Sequence, residues 1–298
     1  MRTLFCLFTA ILLSSCATTP AEIKPTPVLA NPFFYKITKH GFSSYIFGTM
    51  HEGVTIEELP PVVRTQMYQA KAFIGENAMD AADVDALTAF VQKEAAEEAD
   101  TSREGNLKSL LSPTAWRTLK ALTYLQFDDA TMNRWSLWKA AQVASYVPSN
   151  VQTSATGSID LALLTQARKM RTDVYGLETV QTSLTALRAA YTPAVLEETL
   201  VNYKDPRKVQ TQLLATYRRG SETELADLMK SSLPASQRLL LLEKRNRAWV
   251  PRIMDHHQKH FPAFIAVGAG HLVGANNLLD LLKKQGFEVK RVSADSLQ

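Results

Sequence analysis

At 298 residues, with 46% hydrophobic, 21% charged and 8% aromatic side chains, the chain has the make-up of a folded globular protein; disorder, a collagen-like repeat and a polytopic membrane protein are excluded. A formal charge of +4, from 33 basic against 29 acidic residues, is too small and too dispersed to call for nucleic acid. Two cysteines, Cys6 and Cys16, allow one disulfide at most, so their positions matter more than their number.

The chain opens on Arg2 and an apolar run from Leu4 to Leu13. That run is too short for a hydrocarbon core of roughly 30 Å and suits the core of a signal peptide. Leu13-Ser14-Ser15-Cys16 follows and resembles the bacterial lipobox. On that resemblance residues 1–15 are discarded with Cys6, and Cys16 carries lipid and becomes the new N-terminus. Several acyl chains anchor a protein stably where one is marginal. Ala17 after the cysteine resembles lipoproteins sorted to the outer membrane, so the expected place is the periplasmic face of a Gram-negative envelope, anchored through lipid. Residues 16–32, with Pro20, Pro25, Pro27 and Pro32, predict an extended tether.

Phe33 to Ile37 and Ser44 to Phe47 flank Lys39-His40-Gly41 and predict a β-hairpin. A helix is expected over Leu59 to Lys71, a buried strand over Ala72 to Gly75, and an acidic helix over Ala78 to Asp100. The middle reads as helical: Ser112-Pro113 opens one helix, Asp129 caps a second carrying Trp135 and Trp138, and Ser158 to Met170 is a third. A strand at Asp173 to Tyr175 follows. Further helices are expected over Val180–Ala190, Pro193–Tyr203, Pro206–Arg218 and Glu222–Lys230, with a long one from Ala235 to about His257. Strand, helix and strand close the chain at Ala263–Val267, His271–Lys284 and Phe287–Val292. The fold class is therefore α/β. It is a single domain over 33–292, with a central mixed sheet built from both chain ends and a helical insertion over about 80–258.

One pattern occurs twice. Tyr45-Ile46-Phe47 runs into Gly48-Thr49-Met50-His51, and Phe264-Ile265-Ala266-Val267 runs into Gly268-Ala269-Gly270-His271. A glycine at a strand end permits a sharp turn, and the residues after it project above the sheet edge, where α/β proteins build ligand sites. Two neutral imidazoles converging there suit a divalent transition metal. A carboxylate is needed to complete such a site. Glu76, directly after the strand at 72–75, is the first candidate and Glu178 the second.

Gly48-Thr49-Met50-His51, Glu76, Ser158-Ile159-Asp160, Tyr175-Gly176-Leu177-Glu178-Thr179, Arg245-Asn246 with Trp249, and Gly268-Ala269-Gly270-His271-Leu272-Val273-Gly274 stand in one order along the chain. The set resembles the TraB/PrgY/GumN family, which includes the TIKI metalloproteases and is similar in fold to erythromycin esterase and ChaN-like proteins. The resemblance implies a divalent-metal-dependent peptidase. His51, Glu76 and His271 would form its metal or catalytic centre, and Arg245 would steady the oxyanion. Whether Glu76 is ligand or general base stays open, as does the metal among Mn, Co and Zn. Gly48, Gly268, Asp160, Glu178 and Asn246 fall on the family's motifs as further site candidates. Two positions depart from its pattern: Asn77 follows Glu76, and Ser183 stands where a glutamine is usual.

The expected substrate is a peptide or another small acyl compound. The alternative is a surface lipoprotein that sequesters a peptide or glycan without chemistry. Gly268-x-Gly270-x-x-x-Gly274 imitates a dinucleotide-binding turn, but too little chain follows it for that fold. His256 and His260, four apart, are expected on a solvated helix C-terminus. Trp116, Trp135 and Trp138 are expected in the core.

Overall fold

Phe34–Lys39 (β1) and Phe42–Thr49 (β2) pair antiparallel, with Lys39 opposite Phe42. The two residues between them, His40 and Gly41, have φ of 51° and 82°, the left-handed pair that a two-residue hairpin requires. The computed structural model describes residues 28–100, 105–123, 126–145 and 158–295. Four more strands, Ala72–Gly75 (β3), Asp173–Gly176 (β4), Ala263–Gly268 (β5) and Glu288–Arg291 (β6), complete a sheet of order β4-β3-β5-β2-β1-β6. β2, β5, β3 and β4 run parallel, while β1 is antiparallel to both of its neighbours. β3 and β5 lie buried along almost their whole length, which is why each reads as an unbroken apolar run. The chain is thus mixed α/β with strands from both ends.

The helices are Pro61–Gln69 (α1), Ala81–Ala99 (α2), Pro113–Leu122 (α3), Asp129–Asn133 (α4), Leu137–Ser145 (α5), Ile159–Lys169 (α6), Val180–Ala190 (α7), Pro193–Val201 (α8), Pro206–Arg219 (α9), Glu222–Ser232 (α10), Ala235–Arg238 (α11), Lys244–Lys259 (α12) and Leu278–Lys284 (α13). Ser112, Ser158, Thr179, Thr192 and Ser221 each accept a first-turn N–H, satisfying donors that a helix start leaves free. A main core surrounds the sheet. A separate cluster with Leu119, Met132, Trp116 and Trp135 packs α3, α4, α5 and α8 together, so the helical insertion carries its own apolar centre. Trp138 is half-buried, edge-on to Phe90 and Tyr191.

Several expectations are corrected. Asp128, not Asp129, caps α4; Asp129 instead receives Lys108 and Lys120. Trp135 lies between α4 and α5 and Trp138 on α5. The long helix is interrupted by a π turn at Leu239–Glu243. The last helix does not begin at His271: a 3-10 turn spans Ala269–Leu272, and Gly274 and Asn276, with φ of 76° and 54°, break the chain before α13. Within the expected tether, Leu29 is tied to the fold: it is buried in the main core and its N–H donates to Glu58 O at 2.9 Å. The expected leader and Cys16 lie outside the described residues.

His256 and His260 are not solvated. Both are half-buried, their rings 4.8 and 4.7 Å from Tyr175. Between them His257 is buried, with Nδ1 2.9 Å from Ser44 Oγ, which itself accepts the Ala263 N–H at 3.1 Å. Burial pushes the His257 imidazole below its ordinary value. A histidine depressed in the fold is neutral there and charges on unfolding, so its contribution is full above the unfolded pKa and is lost as pH falls below about 6.5. His257→Gln, which keeps an acceptor for Ser44, should flatten the fall of the urea midpoint between neutral pH and pH 5; an unchanged slope would refute this.

Candidate functional site

The parallel strands β2, β5, β3 and β4 end on one edge, and each delivers a polar side chain just past its last residue. Register places Thr49 beside Gly268. Beyond β3 and β4 the pairing continues, with Leu177 N–H donating to Gly75 O and Glu178 N–H to Glu76 O, both at 2.9 Å. His51, Glu76, Glu178 and His271 are thereby carried to the same rim.

The two glycines that open the paired motifs do different work. A Cβ on Gly48 would lie 2.8 Å from Phe33 Cβ and 2.9 Å from Leu272 Cδ1, so only glycine lets β2 pass under the turn after β5. Its carbonyl accepts the buried Tyr217 hydroxyl at 2.7 Å. At Gly268 the backbone N–H donates to Glu76 Oε1 at 2.8 Å, and a Cβ there would sit 3.4 Å from that oxygen.

Arg245, on the first turn of α12, joins two carboxylates. Its Nη2 reaches Glu76 Oε2 at 2.7 Å, and Nε and Nη2 reach Glu178 Oε1 at 3.0 and 2.7 Å. Its Nη1 donates to Leu241 O of the π turn at 3.1 Å and faces His271 Nε2 at 3.4 Å. The guanidinium lies over Trp249, 4.6 Å from the ring centroid. Glu178 is buried and also accepts the Trp249 indole N–H at 2.9 Å and the Ser183 hydroxyl. Burial acts to raise the Glu76 carboxyl, but His271, Arg245 and the Gly268 N–H outweigh it and hold it below the usual range.

Each imidazole is oriented by a partner from another element. Asn246 Nδ2 donates to Asn276 O at 3.1 Å, which turns Oδ1 toward His271 Nδ1 at 2.7 Å. His271 therefore carries its proton on Nδ1, and Nε2 presents a lone pair 3.7 Å from Glu76 Oε1. Burial lowers this histidine to about 4, so it is neutral near pH 7. His51 meets Asp160, on the first turn of α6, with Nδ1 2.9 Å from Oδ2, and Thr49 donates to the other oxygen. The Asp160 hydrogen bond draws His51 toward its protonated form. The His51 side chain is 73% exposed and the His271 side chain 5%: one imidazole stands at the opening, the other at the base.

Two motif positions touch unexpectedly. Asn77 Nδ2 lies 3.1 Å from Ser183 Oγ and 3.1 Å from Glu178 O, so the two departures from the family's pattern meet each other. Ser183 also supplies a hydroxyl to Glu178. Thr49, 2% exposed at the end of an apolar strand, is a second contributor that the pattern does not announce.

Among the described residues no three His, Cys, Asp or Glu side chains stand close enough, as they lie, to hold a metal ion. The chemistry of the donor set nevertheless fits a divalent cation. Asp160 faces His51, and Glu76 and Glu178 set two carboxylates against the guanidinium of Arg245. Each imidazole is bound through Nδ1 to an oriented oxygen, the outer-partner arrangement of metal-ligating histidines. Glu76 can turn from Arg245 without stranding it, because Glu178 keeps two of its hydrogen bonds.

The model of the TraB/PrgY/gumN family matches residues 33–291. The chain is similar to metalloprotease TIKI1 of Homo sapiens, 23% identical with 93% of this chain and 65% of that protein covered. It is similar to metalloprotease TIKI1 of Xenopus tropicalis at 22%, covering 89% of this chain and 62% of the relative, and to metalloprotease TIKI2 of Danio rerio at 26%, covering 52% and 36%. It thus spans between about a third and two thirds of the length of these relatives. No solved structure matches it.

Proposed function

The chain belongs to the TraB/PrgY/gumN family, and from that premise we propose that it hydrolyses peptide bonds at the rim formed by His51, Glu76 and His271, with a divalent cation held by those three. The observation that carries the proposal is the placement of two imidazoles, each oriented through Nδ1, at the rim that carries Glu76, which lies 3.7 Å from His271 and lines one cavity with His51. The name metalloprotease on the relatives supports the reaction class and the metal.

A cation held there would polarise the scissile carbonyl and lower the pKa of a bound water. The remaining work falls to the chain. Asn246 holds the His271 proton on Nδ1, which leaves Nε2 as the acceptor and ligand atom. Asp160 holds His51 at the mouth through Nδ1, which leaves Nε2 to face the cation. Arg245 keeps Glu76 ionised and holds Glu178 in place.

The test is metal content and peptide cleavage in the purified chain. Chelation should abolish cleavage, and Mn, Co or Zn added separately should restore it. His51→Ala/His271→Ala should lose the bound metal along with activity. Unchanged metal content in that double variant would overturn the proposed ligand set.

A further inference from the structure

We infer that the substrate seats one large apolar side chain, next to the bond that is cut, in a pocket walled by Phe73, Met79, Leu161, Leu164 and Ala266. This rests on the hydrolase reading above and gives it a substrate class. His51, Glu76 and Asp160 line the same cavity of about 310 Å³, so a side chain inside it belongs to a residue whose backbone lies at those groups. An apolar cavity of about 150 Å³ accepts a benzene-sized group; twice that volume admits a leucine, methionine or phenylalanine side chain with part of its main chain.

The walls are built for this. Phe73 on β3, Ala266 on β5 and Leu164 on α6 are buried. Leu161, one residue after Asp160, is 46% exposed; it stands at the rim, where an incoming apolar group would cover it. Met79 has φ of 50°, a conformation that costs a non-glycine residue energy. It is pinned from both sides, since its N–H donates to Asp83 Oδ2 at 2.9 Å and its carbonyl accepts Arg168 Nη2 at 2.7 Å. The result is a thioether on the pocket wall, a soft surface that adapts to apolar groups of different shape.

His51 also lines a second, larger groove of about 1120 Å³, walled by parts of α5, α8, α9 and α10. One compartment is sized for a side chain and the other for a length of chain, with His51 where they meet. An extended peptide fills both; a small ester fills only the first.

The experiment uses the purified chain, a degenerate peptide library read by mass spectrometry, and labelled peptides differing at one position as Leu, Met, Phe, Gly or Asp. Apolar residues should be enriched at one flank of the cleaved bonds, and the best of them should exceed Gly in kcat/KM by about 10–200-fold, the span a hydrophobic pocket reaches. Leu161→Ser, on the surface, and Met79→Gly, which suits the positive φ, should each shrink that ratio severalfold. Fluorescence anisotropy under chelation reads the same preference without turnover. Cleavage with no flank preference, or a preference that neither variant moves, overturns the pocket and leaves the hydrolase reading. Apolar-dependent binding with no cleavage under any metal does the reverse. Absence of both overturns both.

Discussion

Arg245→Met should destabilise the fold by about 3–5 kcal/mol, the loss expected when one partner of a buried charge pair is removed. The side chains of Arg245, Glu76 and Glu178 are only 16%, 18% and 5% exposed. Without the guanidinium, two carboxylates remain side by side in a site that water reaches poorly, and each repels the other. Glu178 keeps hydrogen bonds from Ser183 and Trp249, and Glu76 keeps the Gly268 N–H; none of these supplies positive charge. Glu76→Gln should cost much less, because Arg245 stays paired with Glu178 and the amide oxygen still accepts from Gly268. Urea unfolding at neutral pH checks the pair. A loss below about 1 kcal/mol for Arg245→Met, the scale of exposed ion pairs, would mean that the triad is solvated.

Much of this arrangement was legible in the chain. Apolar runs ending in glycine marked β2, β3 and β5, and strand-end position alone singled out Glu76. The fixed spacing to His51 and His271 pointed to one rim, and parallel pairing of β2 with β5 delivers it. What escaped was pairing between elements. His51 with Asp160 and His271 with Asn246 span 109 and 25 residues, and no periodicity ties such positions together. Asn77 and Ser183, 106 residues apart, read as two separate departures, yet they share a hydrogen bond. The early end of the turn after His271 did have a local signal: Gly274 and Asn276 tolerate positive φ, and Asn277 accepts the Asp280 N–H as the cap of α13. His256 and His260 do meet at the end of α12, His260 just past its last residue, but Tyr175, against which both rings pack, comes from a strand far away in sequence.

His51→Ala should lower kcat/KM on the best-cleaved peptide by about 100-fold or more, exceeding the roughly 10–100-fold of a lost outer partner because a ligand of the cation is itself removed, while leaving stability within about 0.5 kcal/mol, as for an exposed side chain. The separation is physical: the His51 side chain is 73% exposed, and its hydrogen bond to Asp160 sets its direction. Asp160→Asn should cost about 10–100-fold, as for loss of an outer partner that orients a metal-ligating histidine. An amide can still meet Nδ1, but without the carboxylate's charge it holds the Nδ1 proton less firmly and leaves Nε2 a weaker ligand. Because Asp160 acts on the reaction through His51, the two losses should not add. His51→Ala/Asp160→Asn should be no slower than His51→Ala alone, whereas independent roles would multiply. A multiplicative double variant would show that Asp160 touches the substrate or the cation directly. A His51→Ala enzyme with full activity would move the chemistry to the buried half of the site, where His271, Asn246, Glu76 and Arg245 would have to work without the imidazole at the mouth.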